Sequence, residues 1–377
     1  MRIIHVAPTP FGRGGLFGGG ERYPLELART LAADVDCELL TFGTSPGVVS
    51  IGGLRVRVLH AVTHLGRGHP AHPVAPALPA ALHRADIVHT HQLRSTPTRI
   101  AALTTRLYGR RLVVTDHGLS GGDWAGLLPR LFDRFLTVSR YSAEQLDAPP
   151  RRTRVIYGGA DPNLFHPDSA ERRDGVLYVG RLTPHKGVDR LIRALPSSTR
   201  LACAGTGGHD PRPPANGYVP LLRRLAVDRP VAFVGAVPDT ELPLLYRRAQ
   251  VLVLPSVHRT CYGDQVALPE LLGLAVLEAM ASGTPVVCSR LGGLPEVVRD
   301  NETGFLVTPG DVNELHDRIA TVLGSPALAD RMGRAARELV LERFTWQACA
   351  ARCLTEYDKL LAKRPGSSPP GGKQPVS

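Results

Sequence analysis

Short apolar runs alternate with amphipathic helical segments along nearly the whole chain, and the alternation happens twice. In the first half, residues 2–6, 38–42, 55–59, 86–89, 112–115 and 135–138 have the length and the Val/Ile/Leu content of buried strands. Residues 21–31 and 97–107 between them carry the 3.6-residue period of helices packed on one face. Beyond residue 174 the pattern restarts, with strands expected at 175–180, 200–204, 231–234, 250–254 and 285–288. Helices are expected there at 187–195, 239–248, 274–281, 312–323 and 327–342. Strand and helix in alternation call for parallel sheets with helices on both faces. A chain of 377 residues has the length for two such cores. The expected fold is therefore α/β with two doubly wound domains, residues 1–160 and 161–345. They join through the turn-rich stretch 155–174. A helix at 346–362 completes the first domain, and the Pro/Gly/Ser-rich tail 364–377 has the composition of a disordered segment.

Charge narrows the partners. The net charge is +11, but the excess is arginine spread over the whole sequence, and aromatics are only 5%. Nucleic-acid binding by stacking needs basic residues interleaved with aromatics, and no such patch exists. A basic surface fits anionic ligands instead: a nucleotide diphosphate, or an anionic membrane surface touched transiently. No apolar run reaches the length of a membrane span, and the first residues read as a strand rather than a signal peptide. A cytoplasmic protein is expected. Its six cysteines contain no C-x-x-C pair and read as reduced, buried thiols.

Three segments carry chemistry. Residues 269–287 set Glu270 and Glu278 eight positions apart around Gly273, at the start of an apolar helical run. Dry surroundings strengthen charge-assisted hydrogen bonds, which suits carboxylates that grip sugar hydroxyls. Gly180-Arg181-Leu-Thr-Pro-His-Lys186-Gly187 follows the first strand of the second half. Two cations five residues apart across a turn can clamp both phosphates of a nucleotide diphosphate and stabilise it as a leaving group. The first strand of the chain feeds a glycine-rich loop, 11–20, and then a helix. Glycines let backbone approach a phosphate, and helix N–H groups add favourable partial charge. Neither this loop nor residues 205–208 fits the dinucleotide G-x-G-x-x-G fingerprint, and no Walker A motif occurs, so a nicotinamide dehydrogenase is disfavoured. His117, in Thr115-Asp116-His117-Gly118, ends another strand, where ligands of such sheets bind.

In combination these motifs resemble the retaining GT-B glycosyltransferases of the group 1 family, also called GT4. Glu270 and Glu278 are similar to its E-x7-E signature, and residues 180–187 to its Arg/Lys motif. Gly18-Gly19-Gly20-Glu21 is similar to its GG.E loop, and residues 155–168 to its linker, with Tyr157 where asparagine is usual. The resemblance implies two Rossmann-like domains facing across a cleft, the second holding the nucleotide sugar and the first the acceptor. It implies donor binding by Gly19, Gly20, Glu21, Arg181, Lys186, Glu270, Leu272, Gly273, Leu274 and Glu278. His117, Glu270, Arg181 and Lys186 would serve catalysis. Glu270 would face the donor sugar, Glu278 the ribose hydroxyls, and His117 would lie beside the sugar. The sequence departs from the family at 257–269, an insertion between Pro255-Ser256 and Glu270, and at Leu272, where phenylalanine is usual. The insertion is expected over the sugar-binding face, with His258 and Asp264 as candidates there.

The implied reaction is metal-independent, retaining transfer of a hexosyl-type group from a nucleotide diphosphate sugar, UDP before GDP, to a hydroxyl of a small polar acceptor. A front-face displacement is expected, the departing diphosphate helping to deprotonate the acceptor. A GT-B sugar phosphorylase and a non-catalytic nucleotide-sugar binding protein are the alternatives. Two other patterns are read as incidental. His89 and His91 suggest a metal pair but lack an evident third ligand. Asp34-Val-Asp36 matches a D-x-D metal motif but falls at a helix-to-strand turn, where acidic residues are common.

Overall fold

The computed structural model describes residues 1–8, 19–68, 71–118, 126–146, 148–168, 170–171, 173–207 and 217–362. The glycine loop before Gly19 and the tail after 362 lie outside these. Two sheets organise the described chain. The first contains β1 (Arg2–Val6), β2 (Asp36–Gly43), β3 (Gly47–Ile51), β4 (Leu54–His60), β7 (Ile87–His91), β8 (Arg111–Thr115), β9 (Arg134–Thr137) and β10 (Thr153–Val155). A separate ribbon pairs β5 (Thr63–His64) with β6 (Pro73–Val74). The strand order of the first sheet is β10-β9-β8-β7-β1-β2-β4-β3. Its pairs are parallel except β3 with β4.

The second sheet contains β11 (Val176–Val179), β12 (Leu201–Ala204), β13 (Val231–Gly235), β14 (Val251–Leu254), β15 (Val286–Ser289) and β16 (Gly304–Val307). All its pairs are parallel, in the order β13-β12-β11-β14-β15-β16. Strand order reverses between β1 and β7 in one sheet and between β11 and β14 in the other. These switch points are where open α/β sheets leave a crevice at their carboxyl ends. The central strands are buried from end to end, which is why they read as continuous apolar runs.

Five strands that periodicity does not announce are β3, β16 and the short β5, β6 and β10. β3 is an edge strand with every residue exposed or half-buried, so it has no apolar signature. Its only mark is Gly52-Gly53, both with positive φ, in the two-residue turn to β4.

The last helix, Trp346–Ala362, returns to the first sheet's side. It packs on α1 (Gly19–Leu31), where the Tyr23 and Trp346 rings meet edge to face at 5.2 Å. It also places Glu356 3.0 Å from Arg134. The chain passes between the two sheets twice, and the two passes lie side by side. Ala160 donates to Phe344 at 2.9 Å and Trp346 donates back to Ala160. Gly159 sits so close to this crossing that a Cβ there would lie 2.3 Å from the Thr345 carbonyl carbon. Tyr157, just before it, has φ 61°. That left-handed conformation is one asparagine adopts several-fold more readily than most residues, which accounts for the family's preference there.

Candidate active site

Two loops leave the carboxyl ends of β11 and β14, and both deliver charge. β11 hands the chain to Gly180-Arg181 and then to a single 3-10 turn, Pro184–Lys186. β14 leads through the inserted segment to Glu270. Lys186 Nζ lies 2.6 Å from Glu270 Oε2, and Ser256 Oγ donates to the same oxygen at 3.3 Å. The side chains of this pair are only 14% and 10% exposed. Taking both charges out of water costs free energy that their attraction must recover, so the pair is weak evidence for stability and better evidence for a held geometry. Arg181 differs. It is exposed, lines the cavity, and its guanidinium makes no hydrogen bond or ion pair among the described residues. His185 between the two cations stays neutral. Burial first, then Lys186 and Arg181, push its pKa down to about 3.

Glu270 is followed by the helix Leu274–Ala281, whose N-cap is Gly273. No side chain caps this terminus, so its free N–H groups and positive dipole end stand open where Leu274 and Ala275 form the cavity wall. Gly292, with φ +58°, packs behind the Glu270 loop. A Cβ there would fall 1.9 Å from the Glu270 carbonyl oxygen. Glu278, a little over one turn into the helix, is buried, and each of its oxygens accepts one hydrogen bond. Arg22 Nη1 donates to Oε1 at 2.7 Å and Tyr246 Oη donates to Oε2 at 2.8 Å. Arg22 belongs to α1, across the cleft, and its other terminal nitrogen pairs with Asp239. Burial opposes the Arg22 charge, but Glu278, with Tyr246 and Glu26, outweighs it and holds the guanidinium pKa above its ordinary value.

The first sheet supplies the facing wall. Gly19 and Gly20 open α1, and His117 lies just past β8, where a Cβ added at Gly20 would be 3.9 Å from the histidine's own Cβ. Between the two walls is a cavity of about 440 Å³, within the range of small-molecule sites. The residues expected to bind donor all line it except Glu21, which stays on the flank of α1 while its neighbour Arg22 reaches in. Of the inserted segment, Val266, Leu268 and Pro269 face the cavity. His258 and Asp264 do not. Asp264 instead closes the insertion on itself through Thr260.

Sequence reasoning missed Arg22, Asp239, Tyr246 and Ser256. Arg22 meets its partners 256 and 217 residues away, on the other domain, and no local pattern encodes that. The D-x-D pattern is remote: Asp36 opens β2 at the amino end of the sheet and pairs with Arg2 at 3.7 Å. Among the described residues, one trio brings possible metal-ligand atoms within 4.8 Å of one another: His5, His89 and His91. Both ring nitrogens of His89 are already within hydrogen-bond distance of Tyr357 Oη and Thr115 Oγ1. All six cysteines are free, and five are buried. No helix among the described residues is long and apolar enough to cross a membrane.

Two Rossmann-like domains with a charged cleft between their carboxyl edges define a GT-B glycosyltransferase. Residues 17–164 match Glycosyltransferase Family 4, and residues 162–339 match Glycosyl transferases group 1. The chain belongs to this family. It is 31% identical to the glycogen synthase of Mycobacterium tuberculosis (strain ATCC 25618 / H37Rv), over 93% of this chain and 84% of that one. It is 30% identical to the D-inositol 3-phosphate glycosyltransferase of Corynebacterium diphtheriae, over 95% and 93% of the two chains. Among solved structures, sucrose-phosphate synthase from Thermosynechococcus elongatus superposes with a TM-score of 0.77 at 24% identity, over 97% and 100% of the chains. That likeness is one of fold.

Proposed function

We propose that this glycosyltransferase moves a hexosyl group from a uridine or guanosine diphosphate sugar to a hydroxyl of a small polar acceptor, with retention of configuration and without a metal ion. One observation carries the reading. Arg181, Lys186 and an uncapped helix N-terminus converge on one side of the cavity, and the Arg181 guanidinium has no protein partner among the described residues. A diphosphate supplies the missing counter-charge, and the same groups stabilise the charge that grows on it as it leaves. Two fixed cations do there what a divalent ion does elsewhere, so turnover in EDTA is expected.

Glu270 faces the donor sugar in this reading, and Glu278 the ribose. Glu270 is committed to Lys186 and Ser256, which argues against its acting as a nucleophile on the sugar. In the reaction we favour, the acceptor oxygen bonds to the anomeric carbon on the face from which the diphosphate departs. The acceptor proton passes to a diphosphate oxygen. A polyol acceptor draws support from the resemblance to an inositol phosphate glycosyltransferase.

The test is a melting-temperature titration with UDP, GDP, ADP and dTDP and their glucose and mannose conjugates, in EDTA. A ligand that binds the native state raises the melting temperature by mass action. A shift with one diphosphate that disappears in Arg181→Ala supports the proposal. No shift with any, or an equal shift in Arg181→Ala, overturns it. The anomeric proton of the product then reads retention or inversion directly.

A further inference from the structure

The first sheet carries a cluster of histidines beside its switch point, of which only His117 lines the cavity. His5 on β1 stands in register with His89 on β7. His91 ends β7, and His117 follows β8. His5, His89 and His91 are fully buried, whereas His117 forms cavity wall. His117 Nε2 lies 3.4 Å from His91 Nδ1, and His91 Nε2 lies 3.1 Å from His5 Nδ1. The chain of rings ends at His5 Nε2, a buried nitrogen with no partner among the described residues. His89 stands aside, engaged by Tyr357 and Thr115 and stacked on His91 with ring centres 4.6 Å apart. Stacked rings set their lone pairs side by side, which is poor geometry for three ligands converging on one metal ion.

Burial keeps these imidazoles neutral, lowering the pKa of His5 to about 3 and of His117 to about 4, with His91 well below its ordinary value. In a neutral imidazole one nitrogen donates and the other accepts. Two polarities then satisfy both hydrogen bonds. If protons point inward, His5 Nε2 ends as an N–H buried with no acceptor. If they point outward, it ends as a bare lone pair, and His117 accepts at Nε2. A buried N–H with no acceptor is taken as the costlier end, by analogy with the backbone, where orphaned N–H groups are rarer than under-satisfied carbonyls.

We propose that His5 and His91 are positioning residues that lock His117 in the tautomer protonated at Nδ1, so that it meets the ligand as a hydrogen-bond donor and not as a base. The inference rests on the cavity being the donor-sugar site. There an N–H suits a sugar hydroxyl or a developing negative charge. The acceptor proton must then leave by another route, and the diphosphate is the group placed to take it. No sequence spacing links residues 5, 91 and 117; the parallel pairing of β1, β7 and β8 brings them together.

The experiment is long-range 1H–15N correlation on the unliganded, 15N-histidine-labelled full chain, with kinetics alongside. His117 is expected to show a protonated Nδ1 and an unprotonated Nε2. His5→Asn keeps an N–H near the position of Nδ1 and should preserve this tautomer and kcat. His5→Leu removes the donor. It should mix the His117 tautomers and lower kcat roughly tenfold while KM for the nucleotide sugar changes less than about twofold. Protonation at Nε2 in the wild type overturns the proposal, as does an unmixed tautomer in His5→Leu. If His5→Leu fails to fold, a changed tautomer in His5→Asn overturns it equally. Stoichiometric Zn2+ retained through EDTA dialysis and bound by these rings would replace the chain with a metal site. The tautomer needs no ligand, so Nδ1 protonation alongside a failed nucleotide titration sinks the proposed function and leaves the chain of rings standing.

Discussion

Arg181 and Lys186 sit five residues apart on one turn, yet the structure gives them different dependencies. Arg181 is exposed and unpartnered among the described residues, so Arg181→Ala should leave the melting temperature within about 1 °C. Its loss should weaken nucleotide binding and also lower kcat, by roughly 10²–10³-fold, the scale of removing one preorganised charge-stabilising donor. Lys186→Ala should cost both. It strands Glu270, a largely buried carboxylate, with only Ser256 as partner. Breaking such a pair costs about 3 kcal/mol, so denaturant unfolding should separate the two variants cleanly. Glu270→Gln is the control: it removes the stranded charge and should return part of the stability of Lys186→Ala without returning activity. The cation spacing and the two glutamates were legible in the sequence because they lie within short segments at strand ends. Arg22 was not, because its role is a meeting between α1 and residues of the other domain. The motif reading stopped at Glu21, one residue short.

At the scale of elements, the strands around the switch points were legible because they are buried on both faces, and β3 was not because it is exposed. The loops that aim the site depend on close backbone approaches that no periodicity reports. The loop of Gly292 and Gly293 lies directly against the Glu270 loop, with Gly293 donating to the Glu270 carbonyl at 3.2 Å. The next residues form the short helix Leu294–Val297, whose Glu296 accepts from the Arg140 and Tyr141 backbone N–H groups, at 2.9 and 2.8 Å. Those N–H groups belong to the helix Arg140–Gln145 in the other domain. The loop behind the site therefore also ties the domains together. Gly292→Ala must both strain a left-handed backbone and displace Glu270, and should destabilise by about 2 kcal/mol or more. Glu296→Ala should cost less in stability, about 1 kcal/mol for the lost cap. Its larger effect should be on the encounter of the domains. Small-angle scattering should report a larger radius of gyration for Glu296→Ala than for the wild type, and an unchanged radius would show that the cap is not what holds the cleft.

For the whole molecule, acid is the condition to which this architecture is most exposed. Five histidines, spread over both domains, are kept neutral in the folded state: His5, His89, His91, His117 and His185. Each has its pKa lowered by burial, while in the unfolded chain it titrates near 6.5. Below that pH the unfolded state binds protons that the folded state refuses, so stability is intact above about pH 6.5 and falls as the pH drops toward the folded values. At pH 5 each fully neutral histidine costs about 2 kcal/mol, from 1.36 kcal/mol per unit over about 1.5 units. His5, His117 and His185 together cost about 6 kcal/mol on that scale, and His89 and His91 add in the same direction, a large share of the stability of an ordinary domain. Asp116 works in the opposite direction, since burial raises its pKa, but it is a single group. The melting temperature should therefore be nearly flat from pH 8 to 7 and fall steeply between pH 6.5 and 5. His5→Asn should make that fall shallower, because one of the five refusals is gone. A wild-type melting temperature that stays level down to pH 5 would mean that water or protons reach these rings in the folded state, and the neutral chain behind His117 would lose its basis with it.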